Sequence, residues 1–426
     1  MSNIAWELIF IISGILLCAA AAFREVKGNW SRIAQSNFFI LYFTSLIINI
    51  VIVEISRRGS MLFGDGYDYY VNAVSILNSR GFSLSTMLNP KIFLDVGQSW
   101  HFFPVWEFTL FVGAFGSTRC LALFHVFLTN ICSLIWLKVF AKLKLERTGL
   151  IASSILTASL YIRNFTTPAL KDAMVYFLFS YISYCMVEYY QSFELRSLIK
   201  TTIPLIFLVF TRMYLAVAIM CSIIILIIRN AKVMIKKGFS SKRLTQLLIT
   251  MAIVAAAVIA TVGGTVYKYA ISWIVGAHYG LSAVLGVIKR VCNFVYGPLI
   301  INVINAQSLY YPSFIAAFVR LLATPLLIRG LLRISRHNAR KCINIVLVIP
   351  FIICALALYV GGSESSIRQY LCFYPLLCIL YALGIKRETD ACYYEETNLN
   401  GNELFELSIH NCNYSAVTER SRENKL

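Results

Sequence analysis

Long apolar runs separated by short polar stretches, many of them basic, make up the chain from its start to residue 385. A run of about 20 apolar residues crosses the roughly 30 Å hydrocarbon core of a bilayer as one helix. The repetition of such runs predicts an all-α, polytopic helical membrane protein. Residues 6–23 form the first predicted span and 38–55 the second. Arg24, Lys27 and Arg32 crowd the connection between them, with only Glu25 in opposition, so the positive-inside tendency puts that connection in the cytoplasm. The first run has no basic flank before it and no small-residue cleavage site, and it reads as a retained helix.

The polar gap 56–100 then becomes an external loop, and loops of that length are more often functional than structural. Residues 101–116 are apolar but short and carry Glu107, which suits a re-entrant or interfacial helix. Residues 118–137 run inward to Lys138, Lys142, Lys144 and Arg147, and 150–162 return outward to a polar cluster at 163–172. Residues 173–190 go inward again. The stretch 201–228 would be about 42 Å long as one helix. A single crossing there would strand Arg229, Lys232, Lys236, Lys237, Lys242 and Arg243 outside. Two short legs with Thr211-Arg212-Met213-Tyr214 at the tip keep those cations inside; the alternative is one tilted span with Arg212 paired to a buried partner. Residues 247–267 cross outward to an external segment, 268–311, whose stretches 271–287 and 291–304 would add a further pair of spans. Residues 312–328 lead inward to Arg329, Arg333, Arg336, Arg340 and Lys341; 343–360 lead outward to a short turn, and 371–385 return. The sum is about eleven spans, or thirteen with the extra pair. Residues 1–385 form one integral membrane domain, and 386–426 read as a flexible, acidic cytoplasmic tail.

Composition agrees. The chain is 59% hydrophobic and only 14% charged, with a mean hydropathy of +0.72. A soluble domain carries about 25% charged residues. The net charge of +18 would suggest nucleic acid in a soluble protein. Here the cations sit in loops beside apolar runs, so orientation in the membrane accounts for them and no nucleic-acid partner is implied. The remaining positive surface suits anionic lipid or a pyrophosphate headgroup. Most of the twelve cysteines lie inside apolar runs, none forms a C-x-x-C pair, and buried free cysteine behaves as a small hydrophobe. Neither a disulfide framework nor a zinc site follows.

Chemistry concentrates at one predicted face. Gly64-Asp65-Gly66-Tyr67-Asp68-Tyr69-Tyr70 opens the first external loop, and two carboxylates three residues apart share a face of a helical turn. A solvated loop is the plain alternative, since loops carry Asp by default. The same predicted face collects Arg163, Lys171, Asp172, Arg212, Glu364 and Arg368. Asp65 or Asp68 could take a proton from an acceptor hydroxyl. Lys171, Arg212 and Arg368, with Asp172, could hold the phosphate of a lipid-linked sugar and steady charge on the leaving group. Tyr67 and His101 complete the candidate binding set. For Arg368 a structural role also offers itself, as an i,i+4 partner of Glu364. No cofactor is implied and no metal-ligand spacing is present, although the pair Asp65 and Asp68 could take a divalent ion. His125 lies on an apolar run and reads as a packed core histidine.

The order of these features resembles the membrane-embedded GT-C glycosyltransferases that use polyprenyl-phosphate-linked sugars, the ArnT-like and protein mannosyltransferase groups among them. Their acidic motif in the first large external loop is matched by Gly64 to Tyr70, their Pro-containing juxtamembrane helix by Phe102-Phe103-Pro104-Val105-Trp106, and their second external carboxylate turn by Pro168-Ala169-Leu170-Lys171-Asp172. Arg368, ahead of Tyr370 and Pro375, is similar to the start of the family's closing span. The family often shows two prolines after the histidine; this chain has His101-Phe102-Phe103-Pro104. The resemblance implies transfer of a sugar from a polyprenyl-phosphate-linked donor to a glycan or lipid acceptor at the periplasmic face of a bacterial inner membrane, in cell-surface polysaccharide assembly. The same features also resemble O-antigen polymerases, which join undecaprenyl-pyrophosphate-linked repeat units. The non-enzyme alternative is a lipid-oligosaccharide flippase, whose charged groups would line a path through both halves of the membrane.

Overall fold

Every described element is helical, as the apolar runs require: in lipid the backbone's polar groups must be satisfied within the segment. The computed structural model describes residues 3–26, 32–55, 65–96, 102–236 (apart from 160, 161, 164, 165 and 168), 281–296, 318–360 and 367–386. The chain divides into a unit Met1–Lys386, which holds all of these, and a unit Arg387–Leu426. The spans expected at 247–267 and 271–287 lie wholly or mostly outside the described residues.

The helices are α1 (Asn3–Glu25), α2 (Arg32–Ile55), α3 (Asp65–Arg80), α4 (Leu84–Leu88), α5 (Pro90–Val96), α6 (Phe102–Phe115), α7 (Thr118–Lys142), α8 (Glu146–Ala158), α9 (Asp172–Ser192), α10 (Leu195–Ile199), α11 (Thr202–Lys236), α12 (Leu281–Tyr296), α13 (Thr324–Ser335), α14 (Arg340–Ile343), α15 (Ile349–Val360) and α16 (Tyr374–Ile385). A π turn, Asn344–Val348, joins α14 to α15, and a 3₁₀ turn, Ile367–Phe373, leads into α16. Among the described residues, six helical stretches are long and apolar enough to cross a membrane. Their outward faces are apolar too: Leu8, Ile12, Leu16, Ile40 and Ile47 are all exposed on α1 and α2. Water would penalise that surface, whereas lipid accepts it. The described helices fit an integral membrane protein.

Ion pairs fix the two ends of the bundle. Arg119 lies 2.6 Å from Glu7 and 3.8 Å from Glu54. Lys138 lies 2.9 Å from Glu25. Helices α1 and α7 are thereby tied in parallel at both ends, about 27 Å apart at 1.5 Å per residue. Glu188 gathers Lys142 at 3.8 Å and Lys200 at 3.1 Å at the Lys138 end.

These contacts decide the form of α11. Lys200, just before it, sits at Glu188 near the C-terminal end of α9. Arg212 reaches Asp172, the first residue of α9, some 24 Å away along that helix. Arg229 then lies over the ring of Tyr190, 5.6 Å from its centre, back near the C-terminal end of α9. The chain therefore rises along α9, turns at Arg212, and returns. Arg212 itself leaves helical geometry, at φ −148° and ψ 81°. The second leg passes Cys354 of α15, whose Sγ is 4.0 Å from the Tyr214 carbonyl. The two-leg arrangement expected from the charges is the one adopted, with Arg212 at the tip.

Two packed halves meet beside α7. One holds α1, α2, α3 and α6, with Phe38, Tyr42, Phe93 and Phe108 fully buried. The other holds α9, the legs of α11 and the C-terminal helices around Trp136, Phe179 and Phe373. Trp136 Nε1 donates to Ser180 Oγ at 2.9 Å, satisfying an indole that would otherwise be buried without a partner. Aromatic contacts bridge the halves: Phe103 meets Phe207 with ring centres 4.5 Å apart, and Phe102 meets Phe210 at 5.3 Å.

Candidate functional site

The seam between the halves carries a cluster of five charged side chains. Each arrives from a different local device. Asp65 is the first residue of α3 and Asp172 the first of α9. Both carboxylates thus sit where the helix dipole favours negative charge. Gly66 lets the start of α3 press onto the segment before α9. A Cβ at position 66 would stand 2.7 Å from the Ala169 carbonyl oxygen and 3.2 Å from Leu170, so only glycine allows this approach. That contact sets Asp65 beside Lys171. The break at the tip of α11 delivers Arg212. Thr211 closes the first leg by donating to the Phe207 and Leu208 carbonyls at 3.1 and 3.0 Å. The 3₁₀ turn before α16 delivers Arg368.

Asp172 is the hub. Its Oδ1 accepts from the Arg212 guanidinium, and its Oδ2 accepts from Arg368 Nε at 2.6 Å. Its side chain is 1% exposed and that of Arg212 5%. Arg212 also donates to the Arg368 carbonyl at 3.4 Å, tying the α11 tip to the 3₁₀ turn. Asp65 sits at the mouth, with 46% of its side chain exposed. Its Oδ2 accepts from Arg368 Nη2 at 3.0 Å and lies 3.4 Å from Lys171 Nζ. Lys171 donates to the Tyr69 hydroxyl at 2.8 Å, and its ammonium stands 5.5 Å from the centre of the Tyr69 ring.

Electrostatics follow from this arrangement. Burial pushes the Asp65 carboxyl up, but the charges and hydrogen bonds of Lys171 and Arg368 prevail and hold it at about 2. Burial and the nearby charge of Arg212 bring the Lys171 ammonium down to about 8, against the opposing pull of Asp65 and Asp172. Among the described ion pairs of the cluster, three cations share two carboxylates.

Five of the candidate residues are therefore brought together: Asp65, Lys171, Asp172, Arg212 and Arg368. Others are not. Asp68 and Tyr67 are exposed, and no described ion pair involves Asp68. His101 and Glu364 lie outside the described residues. Arg368 takes Asp172 and Asp65 as its described carboxylate partners. Arg163 turns into the bundle, donating to the Ser45 hydroxyl and the Thr157 carbonyl, because α8 stops at Ala158 and leaves carbonyls to satisfy. His125 is fully buried with its Nε2 3.1 Å from Glu107 Oε1. Among the described residues no three His, Cys, Asp or Glu side chains gather as a metal site.

Two further residues, Tyr69 and Gly66, shape the site. Tyr69 holds Lys171, and its signal was the i,i+4 spacing from Asp65, which puts both on one helix face. Gly66 had a signal in the Gly-Asp-Gly order, but its partner Ala169 is remote in sequence. No family model, no curated protein and no solved structure matches the chain.

Proposed function

We propose that this protein is an integral membrane glycosyltransferase. It moves a sugar from a polyprenyl-phosphate-linked donor to a hydroxyl of a glycan or lipid acceptor, in cell-surface polysaccharide assembly. On this reading the chain crosses a bacterial inner membrane about eleven times and the cluster faces the periplasm. The observation that carries the reading is the pairing of a buried hub, Asp172, with a half-exposed carboxylate, Asp65, on a shared set of cations at the bundle seam.

In the reaction, Asp65 takes the proton of the acceptor hydroxyl. The acceptor oxygen bonds to the anomeric carbon as the bond from that carbon to the phosphate oxygen breaks. The phosphate leaves with the electron pair, and Lys171 and Arg368 hold its charge. Asp172 touches no reacting atom; it keeps Arg212 and Arg368 in place.

The test uses full-length protein in nanodiscs with a panel of polyprenyl-phosphate sugars, and it reads release of polyprenyl phosphate. Release should depend on an acceptor and should fall about 10²–10⁴-fold in Asp65→Asn. In the free enzyme kcat/KM should fall as pH rises through about 8, where Lys171 loses its charge. Lys171→Arg should carry that limb upward, since guanidinium stays protonated. Full release by Asp65→Asn, or a limb unmoved by Lys171→Arg, would remove the assignment.

A further inference from the structure

The place where an anion would bind in this cluster is already taken, by the chain itself. A single oxygen, Asp65 Oδ2, bridges Arg368 Nη2 at 3.0 Å and Lys171 Nζ at 3.4 Å. The two carboxylates of the cluster differ in kind. Asp172 gives each of its oxygens to a separate guanidinium and is sealed from solvent, which makes it a fixed counter-ion. Asp65 uses one oxygen for two cations and opens to solvent. A phosphoryl group offers oxygens of the same charge and hydrogen-bonding kind to those donors. The two anions compete for the same cations.

We propose, resting on the phosphate-binding reading above, that Asp65 is an internal competitor of the substrate's phosphoryl group: the phosphate displaces it from Lys171 and Arg368, and the displaced carboxylate then serves as the base. With the site empty, the two cations make Asp65 too weak a base to act on water or a stray hydroxyl at neutral pH. Once phosphate satisfies the cations, the carboxylate loses the charges that held its proton affinity down. Reciprocity requires that the anion raise the basicity of Asp65 by the factor that Asp65 weakens the anion. The exchange is a movement of the half-exposed Asp65 side chain, while Gly66 holds the start of α3 against Ala169. It would couple donor binding to activation of the base and suppress hydrolysis before the donor is seated.

Two probes, inorganic phosphate and geranyl phosphate, separate a free phosphate from a lipid headgroup. Their affinities are measured by calorimetry on full-length wild type, Asp65→Asn and Lys171→Met in detergent. Asp65→Asn should bind the preferred probe about tenfold or more tightly than wild type, as a factor of ten corresponds to one unit of proton affinity at the displaced group. A preference for geranyl phosphate in both proteins assigns the ligand to lipid; equal affinities assign it to free phosphate. A second measurement keeps Asp65 in place. Carbodiimide coupling of Asp65 to glycinamide at about pH 5 is read by peptide mass spectrometry, with and without sulfate at constant ionic strength. Coupling requires a protonated carboxyl, so sulfate should raise it several-fold. Equal or weaker anion binding by Asp65→Asn, or coupling indifferent to sulfate, overturns the competition. The phosphate reading survives that result if Lys171→Met has lost the probes. Absence of probe binding in wild type and Asp65→Asn alike, or full binding in Lys171→Met, removes both.

Discussion

Two aspartates in one cluster do different work because their burial differs. Asp172 compensates two guanidinium groups in a place water does not reach, so removing its charge leaves them uncompensated. Breaking a buried pair in this way costs about 3–5 kcal/mol. Asp65 is half exposed, so water screens its pairs with the more buried Lys171 and Arg368, and its charge contributes less than that of Asp172. Asp172→Asn should therefore lower the melting temperature sharply in thermal unfolding in detergent, and Asp65→Asn should lower it less. A loss of the same size in both would mean that the hub is not Asp172. At this scale the sequence went far. Charges are scarce in this chain and costly beside lipid, so each of Asp65, Lys171, Asp172, Arg212 and Arg368 drew notice by position alone. The choice of Asp65 over Asp68, and of Tyr69 over Tyr67, turns on helix rotation of about 100° per residue, which only the neighbours of α3 decide.

Between elements, α13 and α16 cross with their backbones in close contact. A Cβ on Gly330 would strike the Leu380 carbonyl, and one on Gly384 the Leu326 carbonyl. Without a hydrophobic drive between helices in lipid, such small-residue contact lets backbones approach and van der Waals packing hold them. Arg333 adds hydrogen bonds to the Leu383 and Gly384 carbonyls at the end of α16. The crossing matters for the site because α16 follows directly on the 3₁₀ turn that carries Arg368. Gly330→Ala and Gly384→Ala should each destabilise by about 1–3 kcal/mol, as overpacking does. The double variant should cost less than the sum, since one separation of the helices accommodates both methyl groups. Strict additivity in thermal unfolding would show that the two glycines do not share one crossing. Neither glycine stood out in the sequence, because a glycine in an apolar run carries no mark of what faces it.

For the whole molecule, the question is which end faces which compartment. The Glu188 end gathers Lys138, Lys142 and Lys200, and under the orientation proposed above the positive-inside tendency assigns that end to the cytoplasm. The cluster around Asp172 lies at the opposite end of α9. In a cysteine-less background, an impermeant maleimide applied from outside should label Ser85→Cys and leave Lys144→Cys unlabelled until the membrane is opened. Both positions are exposed. Labelling of both from one side would refute the two-ended arrangement, and labelling of Lys144→Cys alone would invert it.

The sequence by itself determined that the chain is helical and apolar enough for a membrane, because periodicity and hydropathy are local properties of a segment. It also favoured a fold-back at Arg212 over a single tilted span, because stranding six following cations on the far side is a penalty that can be counted along the chain, and the contacts of Lys200, Arg212 and Arg229 along α9 decided between the two. Tertiary structure alone decided that Asp65 and Arg368, 303 residues apart, share a hydrogen bond, and that Asp172 is sealed between two arginines. Burial and distance between remote segments depend on how helices cross, and that depends on contacts such as Gly66 on Ala169, which no single stretch of sequence contains.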